Sequence, residues 1–269
     1  MPIVWRVVVR TYKGIFFCDV DGTILPHGQK EVPREFFSLV DEADAAGYLF
    51  CISSGRFDKS LIRLFPGLTQ KVVFSASNGC LVLYQDKVLL PSYTIDRPTA
   101  KEITNALLSW DAIPLISTTG AIYLPVSAYE KEQEKTYLAK GYNRFFSDFS
   151  QVEETVLQIT AVCEDQKVAI LEKARAAWGD RFEIFTTGKP LFDICPTNKG
   201  SSLVAVRNHF KIRREHTYAF GDDENDVSML KEAGRGFVMD TAHEAVKSHG
   251  FEVCHDLFGF IRSLISKDK

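Results

Sequence analysis

No run of apolar residues in this 269-residue chain is long enough to span a bilayer, which takes about 20 in succession. An excess of one charge is also missing. The 32 Lys and Arg against 35 Asp and Glu leave a formal net charge of −3. That balance gives no electrostatic reason to expect nucleic acid or an anionic membrane as partner. The six cysteines are scattered, without a CxxC pair, which speaks against a disulfide framework or a cysteine metal site. Cys18, Cys51, Cys163 and Cys195 lie in apolar, strand-like runs and read as small buried hydrophobes. The N-terminal "MPIVWRVVVRTYK" is interrupted by Arg6 and Arg10 and lacks the core and cleavage pattern of a signal peptide. It is expected to add an edge strand. Repeats, low-complexity tracts and long linkers are absent too. With 45% hydrophobic residues, the composition predicts a globular, cytoplasmic protein.

What the chain does contain begins at "IFFCDVDGTIL", residues 15–25. Ile15, Phe16, Phe17, Cys18 and Val20 predict a short, fully buried strand of a parallel sheet. An unpaired carboxylate is costly to bury, so the strand should end at Asp19, with something positive waiting there. Asp-x-Asp-Gly is also ordinary turn chemistry. No EF-hand calcium loop follows, because "TILPHGQ" supplies neither the further oxygen ligands nor the closing Glu.

Strand and helix patterns alternate from here on. "VPREFFSLVDEADAAG" predicts a helix with Phe36, Val40 and Ala43 at helical spacing. "YLFCIS" and "KVVFSAS" predict buried strands, with the helical "RFDKSLIRLF" between them. "NG" followed by "CLVLY" signals a hairpin, which "KVLLPSY" extends. In the middle, helices are expected at "PTAKEITNALLSW", "VSAYEKEQEKTYLAKG" and "EDQKVAILEKARAAWG", two short strands at "IPLISTTGAIYLP", a strand at "ETVLQITAVC" and a hairpin at "FEIFTTGKPLFDICP". The tail returns to α/β order. The fold expected is a Rossmann-like α/β core with a parallel sheet, residues 1–84 and 189–269, carrying an inserted α+β domain at 85–188.

Four polar clusters fall where strands of the core should end: Asp19, Asp21 and Thr23; Ser53, Ser54, Gly55 and Arg56; Lys199; and Asp222, Asp223, Asn225 and Asp226. Each has a plain structural explanation. Ser54 suits a helix N-cap, Lys199 a solvated surface, and the last cluster a first turn complementing the helix dipole. Strand ends of one parallel sheet converge on one crevice, however. Phosphoryl transfer needs this set of groups. Asp19 would attack phosphorus as nucleophile. Mg²⁺ among hard oxygen ligands would offset charge repulsion. Lys199 and Ser54 would bind phosphate oxygens, and Asp21 would serve as acid and base.

In their order, "FFCDVDGTIL", "ISSGR", "SNGC", "NKG" and "FGDDENDVSML" resemble the haloacid dehalogenase superfamily, in particular its Cof-type sugar-phosphate phosphatases, over nearly the whole chain. The resemblance implies a phosphatase of small phosphorylated metabolites. It makes Asp19 the nucleophile and Asp21 the acid/base. It places Mg²⁺ on Asp19, the Asp21 carbonyl and Asp222, with Asp226 close by or ligating through water. It puts phosphate on the Val20 backbone, Ser54, Gly55, Lys199 and Asn225. The inserted block becomes a cap that selects substrate, with hinges near "LVLYQDK" and at Gly188 in "TTGKPLF". Tyr123, Gln158, Asp193 and Arg56 are unranked candidates for substrate choice. The chain departs from the family's pattern in having Ser54 for a usual Thr, Asp223 for a common Gly, and a shortened approach to Lys199. A phosphomutase of the phosphomannomutase type shares the core, and a catalytically idle binding protein could use the same fold.

Overall fold

The computed structural model describes residues 10–128, 141–163, 166–188 and 190–267. Most of the expected N-terminal edge strand, and most of the charged helix over "VSAYEKEQEKTYLAKG", lie outside the described residues.

The core opens with β1 (Gly14–Asp19), α1 (Arg34–Ala45), β2 (Tyr48–Ser53), α2 (Asp58–Arg63), β3 (Val73–Ala76), β4 (Leu81–Tyr84) and β5 (Lys87–Val88). The second unit holds α3 (Arg97–Ser109), β6 (Ile113–Thr118), β7 (Ile122–Pro125), β8 (Asn143–Phe146), β9 (Val156–Val162), α4 (Lys167–Trp178), β10 (Glu183–Thr187) and β11 (Leu191–Cys195). The chain then returns to the core with α5 (Lys199–His209), β12 (Thr217–Gly221), α6 (Val227–Glu232), β13 (Arg235–Met239), α7 (Glu244–Lys247), β14 (Glu252–Cys254) and α8 (Leu257–Lys267).

Among the described residues the strands form two sheets. The first has the order β14-β13-β12-β1-β2-β3-β4-β5, parallel from β14 to β3, with β4 and β5 antiparallel. β1 is apolar throughout because both its faces are covered. Ile15 and Phe17 pack with Leu203 and Val206 of α5, while Phe16 and Cys18 pack with Phe36 and Leu39 of α1 and Ile261 of α8. The winding runs one way from β1 through β2 to β3, and the other way from β12 through β13 to β14. The strand order therefore switches between β1 and β12, and the crevice at such a point is where open α/β sheets bind ligands.

The second sheet has the order β10-β11-β9-β6-β7-β8. Ile103 and Leu107 of α3, with Ile170, Ala174 and Trp178 of α4, cover one face. The other face lies over the strand ends of the first sheet. All seven residues of the central strand β9 are buried, so its polar Gln158 and Thr160 point into the interdomain cleft.

The hairpin signalled by "NG" forms, since β3 and β4 pair antiparallel and β5 extends it, but its connection is longer than two residues. Ser77, Asn78 and Gly79 form a left-handed turn with φ of 48°, 55° and 96° between β3 and β4, and it packs on the start of α5. A Cβ on Gly79 would lie 2.8 Å from the Ser202 Cβ. Gly188 is no hinge: it sits in the turn of the β10–β11 hairpin and lines the cleft. The sheets also exchange later than the 84/85 and 188/189 boundaries, since Lys87–Val88 pair in the first sheet and Leu191–Cys195 in the second. β8 was not legible in the sequence. It is a short edge strand whose middle residues, Arg144 and Phe145, are exposed.

Candidate active site

The carboxylates expected from the sequence lie at or after strand ends of the first sheet, and the lysine opens a helix. Asp19 is the last residue of β1, beside Ser53 of β2 in register. Asp222 directly follows β12, and a single 3-10 turn, Glu224–Asp226, precedes α6. Lys199 is the first residue of α5, which Asn198 caps through its side chain. The shortened approach does not displace the lysine. Its side chain is fully buried and its Nζ lies 2.5 Å from both Asp19 Oδ1 and Asp226 Oδ1.

Asp226 is held from both sides. Its Oδ1 faces Lys199, and its Oδ2 accepts the backbone N–H groups of Asp222 (2.9 Å) and Asp223 (3.0 Å). Asp222 accepts from the Thr23 hydroxyl at 3.3 Å, and the His27 Nε2 is 3.2 Å from its Oδ2. Gly22 is required here. Its φ is +91°, and a Cβ would sit 2.1 Å from the Asp222 Oδ2.

The electrostatics point to a cation. Carboxylate oxygens of Asp19, Asp222 and Asp226 lie within 4.8 Å of one another. One ammonium cannot neutralise three carboxylates. Burial, and then the neighbouring Asp226, push the Asp19 carboxyl well above its ordinary range. The same causes push Asp222 up to about 7. Burial works to lower the Lys199 pKa, but the charges of Asp19 and Asp226 prevail and hold it raised. A divalent cation relieves this imbalance, and an all-oxygen donor set suits a hard one. The donors present fit that role. Asp19 has one oxygen clear of Lys199, and Asp222 keeps its partners Thr23 and His27 only at 3.3 and 3.2 Å, so these two are the better placed to ligate directly. Asp226 already uses both oxygens, which favours its acting at one remove.

The other expected residues converge as well. Ser54 and Gly55 line the same cavity as Asp19, Asp21, Asp222 and Asn225, and Val20 is buried beside them. Ser54 is not a helix cap, since α2 starts four residues later with Phe57 at its cap position. Its Oγ accepts the Arg56 N–H at 3.2 Å, which leaves its own proton to donate. Asp21 is half-exposed at the mouth. Arg56 grips it with two hydrogen bonds, Nε to Oδ2 at 2.7 Å and a terminal nitrogen to Oδ1 at 2.5 Å.

Sequence reasoning gave no role to two residues here. Asn78 was absorbed into a turn signal, yet it is fully buried and links the two sheets. It donates to Gln158 (3.0 Å) and Asp193 (2.9 Å) and accepts from Asn225 (2.9 Å). Its position at the end of β3, after two other strand ends carrying polar groups, was the available signal. His27 lies in an irregular loop and gave none. Asn225 spends one amide hydrogen on Asn78 and lines the cavity.

The fold and this cluster define a phosphoryl-transfer hydrolase built on a doubly wound sheet with a second domain over its switch point. Residues 16–256 match the haloacid dehalogenase-like hydrolase family, and the chain belongs to it. It is 30% identical over 233 residues to the HMP-PP phosphatase of Citrobacter koseri, covering 83% of each chain. It is 27% identical over 234 residues to the 5-amino-6-(5-phospho-D-ribitylamino)uracil phosphatase YbjI of Escherichia coli, covering 85% of each. A haloacid dehalogenase-like hydrolase from B. subtilis superimposes with a TM-score of 0.82 at 22% identity, over 93% of this chain and 99% of that one. The chain is thus an enzyme of the phosphoric monoester hydrolase class.

Proposed function

We propose that the protein is a Mg²⁺-dependent phosphatase of small phosphorylated metabolites, sugar phosphates foremost, working through an aspartyl-phosphate on Asp19. The observation that carries this reading is the convergence of Asp19, Asp222, Asp226 and Lys199 at the switch point of the sheet. A catalytically idle protein would gain nothing from burying three repelling carboxylates.

Lys199 holds Asp19 Oδ1 in place, so the other carboxylate oxygen is the one aimed at phosphorus. The Ser54 hydroxyl, the Gly55 and Val20 backbone and the second Asn225 hydrogen bind the phosphoryl oxygens. Asp19 attacks and the ester oxygen leaves with a proton from Asp21. Asp21 then takes a proton from water, which attacks the aspartyl-phosphate and frees Asp19. Asp21 must first release Arg56, so substrate entry and rearrangement of this pair go together. Asp19, the Asp21 carbonyl and Asp222 would hold Mg²⁺, with Asp226 behind them. When bound, it offsets the repulsion between Asp19 and the phosphate.

We read the second sheet with α3 and α4 as a cap over the cleft, and the remainder as the catalytic core. The six buried, unpaired cysteines support residence in a reducing cytoplasm.

The test is phosphate release by purified protein over a broad panel of phosphorylated metabolites, with Mg²⁺ and after chelation. We expect release that needs Mg²⁺ and that Ca²⁺ inhibits. Full activity after exhaustive chelation overturns the metal role, and no release from any ester overturns the phosphatase reading. Phosphoryl transfer between substrate positions without free phosphate marks a mutase.

A further inference from the structure

The cleft between the sheets encloses a cavity of about 490 Å³ that reaches from Asp19 up to Gln158, Thr160 and Asp193 of the second sheet. Asp193, on β11, is 3% exposed and pairs with no cation among the described residues. Its Oδ1 accepts from the Thr160 hydroxyl at 2.5 Å and its Oδ2 from Asn78 at 2.9 Å. The Thr187 hydroxyl also faces it. It sits directly above the phosphate-binding turn, since a Cβ on Gly55 would be 3.4 Å from Asp193 Oδ2.

The polar wall around Asp193 is otherwise spent. The Gln158 Oε1 accepts from Asn78 and the Cys195 thiol, and its Nε2 donates to Thr160 and to the Gly55 carbonyl. Both hydrogens of the Asn78 amide nitrogen are committed, and its oxygen takes Asn225. A carboxylate has about four lone-pair sites, and three donors face Asp193. What this wall still offers to a ligand is acceptor capacity. An anion beside a phosphate site repels phosphate, so Asp193 cannot serve the phosphoryl group. It suits a donor on the leaving group, next to the phosphorylated carbon.

We infer that Asp193 is a specificity-determining residue: it accepts a hydrogen bond from a hydroxyl of the leaving group and so selects phosphorylated polyols over plain alkyl esters. The inference rests on the phosphatase reading and names the residue that would read the substrate's hydroxyls. A site built to bond a hydroxyl rejects the analogue that lacks it, because its buried acceptor is then left without a partner.

The experiment compares kcat/KM for glycerol phosphate and n-propyl phosphate, which share size and differ in hydroxyls, with p-nitrophenyl phosphate as a generic ester. Wild-type protein should prefer glycerol phosphate by about tenfold or more. Asp193→Asn, which keeps the shape and removes the anionic acceptor, should bring the two esters to within about threefold of each other. Thr160→Val breaks the same network but leaves the carboxylate, and should retain the preference. Equal turnover of both esters by wild-type protein overturns the inference, as does an Asp193→Asn variant whose activity falls equally on both. Hydrolysis of p-nitrophenyl phosphate without a hydroxyl preference rejects the role of Asp193 alone. No hydrolysis of any ester rejects the phosphatase reading beneath it.

Discussion

Asp19 and Asp193 are both buried carboxylates, and their surroundings give them opposite tasks. Asp19 has Lys199 beside it and room for a cation, which together would stabilise the anion that the proposed attack requires. Asp19→Asn should lower turnover by at least about 10³-fold, since a group acting as nucleophile has no substitute in line. The variant should keep its fold, and a thermal melt alongside the assay checks both; ordinary activity would remove the nucleophile assignment. Asp193 has no such compensation, and burial pushes its carboxyl up to about 6. Its unfolded value is about 3.9, so between these limits the native state holds the extra proton. Its contribution is then full below about 4 and is lost as pH rises through about 6, worth roughly 3 kcal/mol as an upper order of magnitude. Lys199 and Lys167 are the cations near enough to moderate it. Relative to wild type, Asp193→Asn should therefore gain melting temperature steadily from pH 4.5 to 7 in the presence of chelator. A difference that stays flat over this range would mean that the Asp193 carboxyl titrates alike in the native and the unfolded protein. At this scale the sequence was readable where polar groups interrupt apolar strands, as at Asp19, Ser54 and Asp222. Asn78 was hidden because Asn-Gly is a turn signal in its own right.

The elements bring a further link between the sheets. Glu224 lies between Asp222 and Asp226 in the 3-10 turn, and its Oε2 accepts from the Thr186 N–H at 3.0 Å and the Thr186 hydroxyl at 2.6 Å. Arg175 of α4 lies 3.3 Å from its Oε1. The β10–β11 hairpin is thereby strapped to the loop that presents the acidic cluster. Glu224 is about half-exposed, so the strap is worth no more than about 1 kcal/mol. That is enough to shift local opening without moving global stability. Glu224→Ala should speed amide exchange at Thr186 by several-fold while exchange in β1 and the melting temperature hold. Unaltered exchange at Thr186 would show that packing alone seats the hairpin. The elements that could be read from sequence are those whose burial is complete or periodic: β1, β2 and the Phe36–Leu39–Val40–Ala43 face of α1. β8 escaped because an edge strand with two exposed residues carries no alternation. The β10–β11 hairpin was legible as well, but the hinge placed at Gly188 was not consistent with it, because Thr187 pairs with Leu191 and both strands belong to one sheet.

At the level of the whole molecule, sheet membership decides where the cap can be cut away. Removing residues 85–188 would leave β11 attached to the core without its neighbours. Phe192 and Ile194 are fully buried against α3, α4 and β9, and exposing each forfeits about 1.5–3 kcal/mol of burial. The same cut would remove β5 and the Leu89 and Leu90 side chains that pack on the core. Removing residues 91–196 instead, and joining the ends with a short glycine-serine linker, keeps every strand of the first sheet and all of β11's partners together on the discarded side. We expect the first deletion to aggregate and the second to melt cooperatively as a monomer. The shorter protein should still release phosphate from p-nitrophenyl phosphate, because the acidic cluster, Lys199, Ser54 and Gly55 all remain. It should lose its discrimination among phosphorylated polyols, because Gln158, Thr160 and Asp193 have gone and the cleft is open to water. Size-exclusion chromatography and calorimetry test the folding half of this expectation, and the panel of esters tests the other. Equal behaviour of the two deletions would show that β11 is dispensable to the cap. A soluble core that kept the full substrate ranking would place selection in the loops around Asp21 and Arg56.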